Sequence, residues 1–376
     1  MKYFKVLALF VIAWGLNLVA PSVLIYLQRL DGVEASIAAS LWCMGLFLLF
    51  GWACSKASEG TVVPNFTLQL LVGIVLHDAL SPLYAQVTLC VVVCTAMAAI
   101  ILKSGGDEID RKVFLQIVYP TLMLAVLGYW VTFFVMFGLL RWLGMEGPTA
   151  ALLAAIVGST DPAALIPTLK QLSFHPHFQR VKHLSVAESA LNDAVGAIFT
   201  AAVCLMVASG VDLNSMSSLW MALLSGANLI NLGEQLLFGI LAGVLGWLGM
   251  YSFERYKSVQ WDRGERDQPY DFAIVLAVPL VTFALAQAMH GNGFLAAFVA
   301  GLLANFNHGS KHFHGLLHSM EVKIESVAKP TIFMMIGSFV ALDNLVDTAG
   351  LGLAVSLLFI FIARTGGMDF LAADKN

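Results

Sequence analysis

The chain has 376 residues, of which 59% are hydrophobic and only 12% are charged, and its mean hydropathy is +0.83. This composition excludes an ordinary soluble protein and predicts an all-α polytopic membrane protein whose environment is the lipid bilayer. The formal net charge is −4, and no basic stripe with interleaved aromatic residues occurs, so a nucleic-acid partner has no support.

Apolar runs of about 15 to 28 residues predict about twelve transmembrane helices. They lie near 3–27, 35–53, 61–80, 84–102, 113–140, 149–168, 183–209, 234–253, 271–290, 293–307, 327–341 and 349–365. If successive loops alternate sides from a cytoplasmic N-terminus, seventeen of the 20 Lys and Arg residues fall on the cytoplasmic side. Two of the others, Arg29 and Arg141, fall on the opposite side, and Arg364 lies inside the last span. The positive charges therefore predict a cytoplasmic N-terminus.

The N-terminus resembles a secretory signal, because Lys2 and Lys5 precede an apolar run of about 22 residues. A clear small-residue cleavage site is missing, so residues 1–34 are interpreted as an extra N-terminal transmembrane helix that is retained.

The first polar interruption of a span is GSTDPAA, from Gly158 to Ala164. Pro162 removes a backbone donor and disfavours helical geometry at Asp161, while Gly158 adds flexibility. A helix broken at Thr160–Pro162 exposes backbone carbonyls at membrane depth, which is how secondary transporters build cation sites. The alternative is a simple proline kink in which the neighbouring hydroxyls bond back to the helix.

The second polar interruption is AESALNDAVG, inside the span near 183–209. Ser189 and Asp193 are four residues apart, as are Glu188 and Asn192, so the two pairs lie on neighbouring helix faces. Ser189 and Asp193 offer hard oxygens suited to Na⁺ or K⁺ and to a proton, and competition between them is the minimal chemistry of an antiporter. The alternative is a hydrogen-bonded polar packing cluster.

Glu188 needs a counterion, because an unpaired charge inside a membrane is expensive. Apart from Lys103 and Lys329 at span ends, Arg364 is the only cation inside a predicted span, so the economical assignment is a Glu188 to Arg364 ion pair. The alternative is that Arg364 extends to the cytoplasmic face from the end of its helix.

Four segments together resemble a known family: GSTDPAALIPTLKQL (158–172), HLSVAESALNDAVGAIF (183–199), ALAQAMHGNGFLAAFVAGLLAN (284–305) and the IAR that ends at Arg364. The family is the monovalent cation:proton antiporters of the CPA1 class, which includes the bacterial NhaP-type Na⁺/H⁺ exchangers. The resemblance covers about residues 35–365 and implies one antiporter transmembrane domain. It also implies an inverted-repeat fold with a mobile core and a dimerisation region, and hence a homodimer.

The resemblance also implies roles for individual residues. Thr160, Ser189, Asn192 and Asp193 match ion-site positions, and Asp161 lies where the broken helices cross. Glu188 and Arg364 match a structural ion pair. The Asn-Asp pair at 192–193 is similar to the electroneutral branch, which exchanges one proton per cation.

The chain departs from the family pattern at LKSGGDEID, where Ser104 stands at a place that is commonly acidic. Either Ser104 replaces a carboxylate ligand, or Asp107 or Glu108 supplies one, so Na⁺ or K⁺ selectivity stays open.

A second departure follows Arg364, where the sequence reads RTGGMDFLAADKN. The family continues with a second broken helix and a final span. The expectation is that the second repeat is incomplete, that 366–376 form a short cytoplasmic tail, and that the chain inserts but does not complement an antiporter-deficient host.

Four histidines near the tenth span have helical spacing: His308 and His312, then His314 and His318. Such pairs can hold a transition metal on one helix face. No cysteine lies nearby and histidine-rich cytoplasmic loops usually face solvent, so no metal is expected.

The remaining composition excludes other cofactors. The five cysteines lie in or at the ends of spans and are interpreted as packing residues. No phosphate-binding loop occurs, so ATP-driven transport is disfavoured and no cofactor is expected.

The leading interpretation is a secondary antiporter, not an enzyme, that exchanges Na⁺ or K⁺ for H⁺ across the plasma membrane in pH and cation homeostasis. One alternative is a non-transporting truncated remnant. Another is an intramembrane aspartyl protease with Asp161 and Asp193 as its dyad. The glycine-x-glycine-aspartate motif of such proteases is absent.

Overall fold

The computed structural model describes residues 2–27, 32–109, 111–159, 179–262 and 272–363. These ranges form helices and contain no β-strand, which confirms the predicted all-α class. The α-helices are α1 Lys2–Leu27, α2 Gly32–Ser58, α3 Asn65–Val75, α4 Val87–Asp107, α5 Arg111–Leu122, α6 Tyr129–Trp142, α7 Gly147–Val157, α8 Gln179–Ala208, α9 Met216–Leu223, α10 Gly226–Asp262, α11 Ala273–Ala288, α12 Gly293–Phe306, α13 Lys311–Ser338 and α14 Leu342–Leu358.

Three short segments extend these helices. A 3₁₀ segment, Ser81–Gln86, leads into α4, and a π-helical segment, Met123–Gly128, joins α5 to α6. A second π-helical segment, Phe359–Ala363, follows α14. Because the first of these π segments keeps α5 and α6 continuous, Phe114–Trp142 forms one apolar span.

Every predicted span overlaps a helix. Seven described segments are long and apolar enough to cross a membrane: Tyr3–Leu27, Gly32–Ser58, Ser81–Asp107, Phe114–Trp142, Ala187–Ala208, Gly226–Gln260 and Leu342–Ala363. Four further predicted spans fall on the shorter apolar helices α3, α7, α11 and α12. The remaining one, 327–341, lies largely in the C-terminal half of α13. An 11-residue helix such as α7 rises only about 17 Å, so the described part of α7 is about half of a span.

The apolar helices expose large hydrophobic side chains, as helices in contact with lipid do. Phe4, Trp52 and Leu353 are each more than half exposed. A water-soluble protein would cover such residues, whereas in a bilayer their contact with acyl chains is favourable.

Two compact units divide the chain. One comprises Met1–Ile101 with Val322–Gly350, and its core includes Leu68, Val72 and Met334. Gly73 in this unit lies directly against the backbone of Met334, where a larger side chain would not fit.

The other unit comprises Leu102–Glu321 with Leu351–Asn376. Its core is aromatic and alanine-rich, with Tyr129, Phe133 and Phe137 packed against Ala151 and Ala154. The Asp193 and Asp107 carboxylates described below both lie in this unit. The predicted division into 1–34, 35–365 and 366–376 stays a prediction.

Candidate functional site

Helix α7 ends where the GSTDPAA motif begins. Its last helical residue is Val157, and the backbone N–H of Gly158 donates to the carbonyl of Ala154 at 3.1 Å. The predicted break at Thr160, Asp161 and Pro162 lies outside the described residues. Ser159 is therefore the last described residue of the motif.

Glycines let three elements meet at this helix end. A methyl group at Gly158 would lie 2.9 Å from Cε2 of Tyr129, and one at Gly196 would lie 2.9 Å from Cβ of Ser159. Gly158 has ordinary right-handed helical dihedral angles, so the motif needs glycine here for space rather than for an unusual conformation. The Tyr129 hydroxyl donates to the carbonyl of Ala155 at 2.7 Å and fixes the ring against α7.

The Asp193 carboxylate on α8 reaches the end of α7. Ser159 Oγ donates to Asp193 Oδ1 at 2.8 Å, and Asp193 is half-buried. This hydrogen bond joins the two motifs of the sequence. Ser159 was not among the predicted site residues, because a serine at a helix end is expected to bond back to its own helix.

The other predicted α8 residues lie on the same helix turn, deep in the protein. Ser189 and Asn192 have no exposed surface, and Glu188 is 9% exposed. Asn192 Nδ2 donates to Glu188 Oε1 at 3.1 Å, which confirms that this i, i+4 pair interacts. The predicted partner of Glu188, Arg364, lies outside the described residues, so their ion pair stays a prediction.

A second polar cluster, which we call the α4–α13 cluster, comprises Lys103, Asp107, Glu254, His314, His318 and Glu321. Backbone contact between α4 and α12 positions Lys103 and Asp107. A methyl group at Gly301 would overlap the carbonyl oxygen of Lys103, and one at Gly106 would overlap that of Phe298. The double glycine of LKSGG thus has a packing reason at Gly106.

Three ion pairs connect the end of α4 to α13. Lys103 Nζ lies 2.5 Å from Glu321 Oε1, and both side chains are almost completely buried. Asp107 Oδ2 lies 3.1 Å from His318 Nδ1, and Asp107 Oδ1 lies 3.3 Å from His314 Nε2.

Glu254 on α10 supports the start of α13. Its carboxylate accepts hydrogen bonds from the backbone N–H groups of Gly309 at 2.7 Å and Ser310 at 3.3 Å. Glu254 Oε1 also lies 3.1 Å from His314 Nδ1. An anion at this place interacts favourably with the N-terminal end of the helix dipole.

Both histidines of the cluster favour the protonated form. Burial lowers the pKa of His314, but the hydrogen bonds and charges of Asp107 and Glu254 outweigh it and raise the pKa to about 9. Hydrogen bonds to Asp107 and Glu321 raise the pKa of His318 to about 10 against the effect of burial. The expectation that these two histidines are merely solvated is therefore wrong, because both are held by buried carboxylates.

One signal for this cluster was visible in the sequence, namely the i, i+4 spacing of His314 and His318. Their partners could not be identified, because Asp107 and Glu254 lie more than fifty residues away in the chain. Of the two carboxylates proposed to compensate for Ser104, Asp107 faces the histidines of α13. Ser104 itself is buried at 1% exposure.

A cleft of about 390 Å³ opens beside the cluster. Asp107, Glu108, Asn305 and the two histidines contribute to its lining. The His318 side chain is 35% exposed at this cleft, whereas the Asp107 carboxylate beneath it is almost completely buried.

Comparison with known proteins identifies the family. The model of the sodium/hydrogen exchanger transmembrane region matches residues 45–373. The K⁺/H⁺ antiporter NhaP2 of Shewanella baltica is 26% identical over 314 residues, which cover 82% of this chain and 51% of that protein. The Na⁺/H⁺ antiporter 1 of Methanocaldococcus jannaschii is 24% identical over 165 residues, which cover 43% of this chain and 38% of that protein.

A solved structure has the same fold. The sodium proton antiporter MjNhaP1 from Methanocaldococcus jannaschii at pH 8 superposes with a TM-score of 0.72 at 20% identity, covering 91% of this chain and 80% of that chain. The chain spans about half the length of the NhaP2 relatives that it matches. Because the family model matches most of the sequence, the chain belongs to the sodium/hydrogen exchanger family of integral membrane transporters.

Proposed function

We propose that this protein is a secondary antiporter that exchanges a monovalent cation, Na⁺ or K⁺, for H⁺. The observation that carries the proposal is the hydrogen bond from Ser159 to Asp193. It places the carboxylate of α8 at the helix end where the TDP motif starts, so that motif and carboxylate can contribute to one site.

The chemistry needs one carboxylate that holds either a cation or a proton. Asp193 is half-buried, so water does not fully compensate its charge, and a bound Na⁺, K⁺ or H⁺ stabilises it. When one of these leaves, another must replace it. This competition couples the inward movement of one ion to the outward movement of the other.

Neighbouring groups would complete the cation's oxygen shell. Ser189 and the backbone or side chain of Thr160 are proposed as further ligands, with Asn192 and Asp161 shaping the site. Asn192 already binds Glu188, and we propose that Glu188 in turn pairs with Arg364 as a structural contact.

The wider assignment follows from the family. On the basis of the Asn-Asp pair at 192–193, we propose that one proton is exchanged per cation. We also propose a homodimer in the plasma membrane with a cytoplasmic N-terminus. Its proposed role is in pH and cation homeostasis. The named relatives include both K⁺/H⁺ and Na⁺/H⁺ antiporters, so the choice between the two cations is left to experiment.

Proton flux in everted membrane vesicles tests the proposal. Addition of Na⁺ or K⁺ should release protons from vesicles that contain the wild-type chain, and Asp193→Asn should abolish this release because an amide cannot bind H⁺ and a cation in turn. Asp212→Asn is the matched control, since Asp212 is exposed and lies after the end of α8. Wild-type flux in Asp193→Asn, with equal amounts of inserted protein, would refute the assignment.

A further inference from the structure

Three side chains of the α4–α13 cluster converge on one point. A carboxylate oxygen of Asp107, a ring nitrogen of His318 and a carboxylate oxygen of Glu321 all lie within 4.8 Å of one another. Asp107 comes from the last turn of α4, and the other two residues are three apart on α13. We propose that these three residues form a binding site for a divalent transition metal of the Zn²⁺ class.

The spacing of the three atoms suits a shared metal ion. His318 Nδ1 lies 3.1 Å from Asp107 Oδ2 and 3.8 Å from Glu321 Oε2. Ligands about 2.0 to 2.2 Å from a tetrahedral zinc ion are separated by about 3.3 to 3.6 Å. The two distances to the nitrogen differ from this range by only a few tenths of an ångström, and the two oxygens lie within 4.8 Å of each other.

The groups that would bind the metal are preorganised. Asp107 is 4% exposed and Glu321 has no exposed surface. Three of their carboxylate oxygens form ion pairs but have no hydrogen bond of good geometry among the described residues. These are both oxygens of Glu321 and Oδ1 of Asp107. Buried carboxylate oxygens without such bonds are costly, and a metal ligand bond would satisfy them.

The charges of the cluster also suit a divalent cation. Asp107, Glu254 and Glu321 carry three negative charges when ionised, and Lys103 contributes one positive charge. Lys103 contacts Oε1 of Glu321, which leaves Oε2 on the side of His318. The three carboxylates thus outnumber the single lysine, and a divalent ion would take the place of the positive charge that the histidines otherwise supply.

The ligand set favours zinc-like metals over the hard cations. One imidazole with two carboxylates is typical of Zn²⁺ and neighbouring first-row metals, whereas Mg²⁺ prefers oxygen ligands alone. No cysteine belongs to the cluster, so sulfur-selective metals are disfavoured. The side chain of His318 is 35% exposed and borders the cleft, which gives the ion a way in and leaves room for water as a further ligand.

The metal would tie the end of α4 to α13. In its absence the two helices are joined here by imidazole-carboxylate and lysine-carboxylate pairs. This role does not depend on Asp193, so it can be tested by binding alone, without any measurement of transport.

Calorimetric titration of the purified full-length chain in detergent with ZnCl₂ is the direct test. We expect one site per chain, and His318→Gln should weaken binding by at least about tenfold, because even outer-shell changes typically cost about 10- to 100-fold in metal affinity. His312→Gln is the matched control, since His312 is an exposed histidine on the same helix outside the trio. Equal Zn²⁺ affinity in His318→Gln and wild type would overturn the proposal.

Four further measurements keep the result interpretable. Glu321→Gln should also weaken binding, and thermal unfolding of each variant shows whether it is folded. X-ray absorption of the zinc-loaded protein should show nitrogen and oxygen ligands, whereas a sulfur ligand would assign the ion to a cysteine and overturn the site. Binding of MgCl₂ as strong as that of ZnCl₂ would overturn the proposed metal class.

Discussion

The carboxylates of the Asp193 site and those of the α4–α13 cluster have different hydrogen-bond and ion-pair partners. Asp193 receives a hydrogen bond from the neutral hydroxyl of Ser159, whereas Asp107 and Glu321 meet lysine and histidine side chains. A hydroxyl carries no charge, so its hydrogen bond is compatible with the cation or proton that we propose for Asp193. Fixed cations neutralise the cluster from within. The first arrangement suits exchange of ions, and the second suits joining of helices.

Breaking the lysine pair should give the largest effect on stability. Lys103→Ala leaves Glu321 buried without its closest cation, and removal of one partner of a buried pair typically costs about 3 to 5 kcal/mol. Lys56→Ala is the control, because Lys56 and Glu59 form an exposed pair, and exposed pairs contribute little to stability. Chemical or thermal unfolding in detergent measures both. Equal losses in the two variants would show that burial does not strengthen the dependence on Lys103.

A double variant sharpens this result. Lys103→Met combined with Glu321→Gln removes both charges, so it should lose less stability than the sum of the single variants. Additive losses would mean that the two side chains do not stabilise each other.

The predicted Glu188 to Arg364 pair can be broken in the same way. Glu188→Ala and Arg364→Ala should each cost up to about 3 to 5 kcal/mol, and the double variant should be far from additive. Thermal stability in detergent is the measurement. Independent effects of the two substitutions would exclude their contact.

At the Asp193 site a packing change should affect transport as well as stability. Gly196→Ala introduces a methyl group 2.9 Å from Cβ of Ser159, so Ser159 must shift away from Asp193. Overpacking of this kind costs about 1 to 3 kcal/mol, and exchange should fall with it. Gly249→Ala, on a helix face with open space, is the control. Vesicle flux in Gly196→Ala equal to the control would show that the position of Ser159 is not important.

Removal of the hydroxyl itself should change the binding of the cation with the least disturbance of the surrounding packing. Ser159→Ala removes one hydrogen bond to a carboxylate, worth about 1.5 to 3 kcal/mol when the acceptor is charged. The cation concentration for half-maximal exchange should rise by about tenfold, while the maximal flux changes less. Loss of all flux would mean that Ser159 does more than orient Asp193.

The predictable part of this site is the part that lies within one helix. The i, i+4 rule placed Asn192 beside Glu188 correctly, because helix geometry fixes such pairs whatever surrounds them. Ser159 and Tyr129 were missed, since their roles depend on the close approach of α6, α7 and α8 at Gly158 and Gly196. Nothing in the local sequence distinguishes a glycine that provides space from one that provides flexibility.

The α4–α13 cluster could be predicted from the local sequence even less than the Asp193 site. The tertiary fold alone brings Lys103 and Asp107 to the histidines of α13, and Glu254 to its N-terminus. The seven long spans were recognisable from composition, because length and apolar content decide whether a helix can cross a bilayer. The shorter helices, such as α7, contain fewer apolar residues. Motifs were needed to assign them a function.

The contact of Gly106 and Gly301 has a mechanical consequence. Where α4 crosses α12, backbone atoms touch directly and no flexible side chain lies between them to absorb a displacement. We therefore expect the last turn of α4 to move together with α12. Any rearrangement that tilts α12 carries the last turn of α4 with it, and so moves Lys103 and Asp107 relative to partners on other helices.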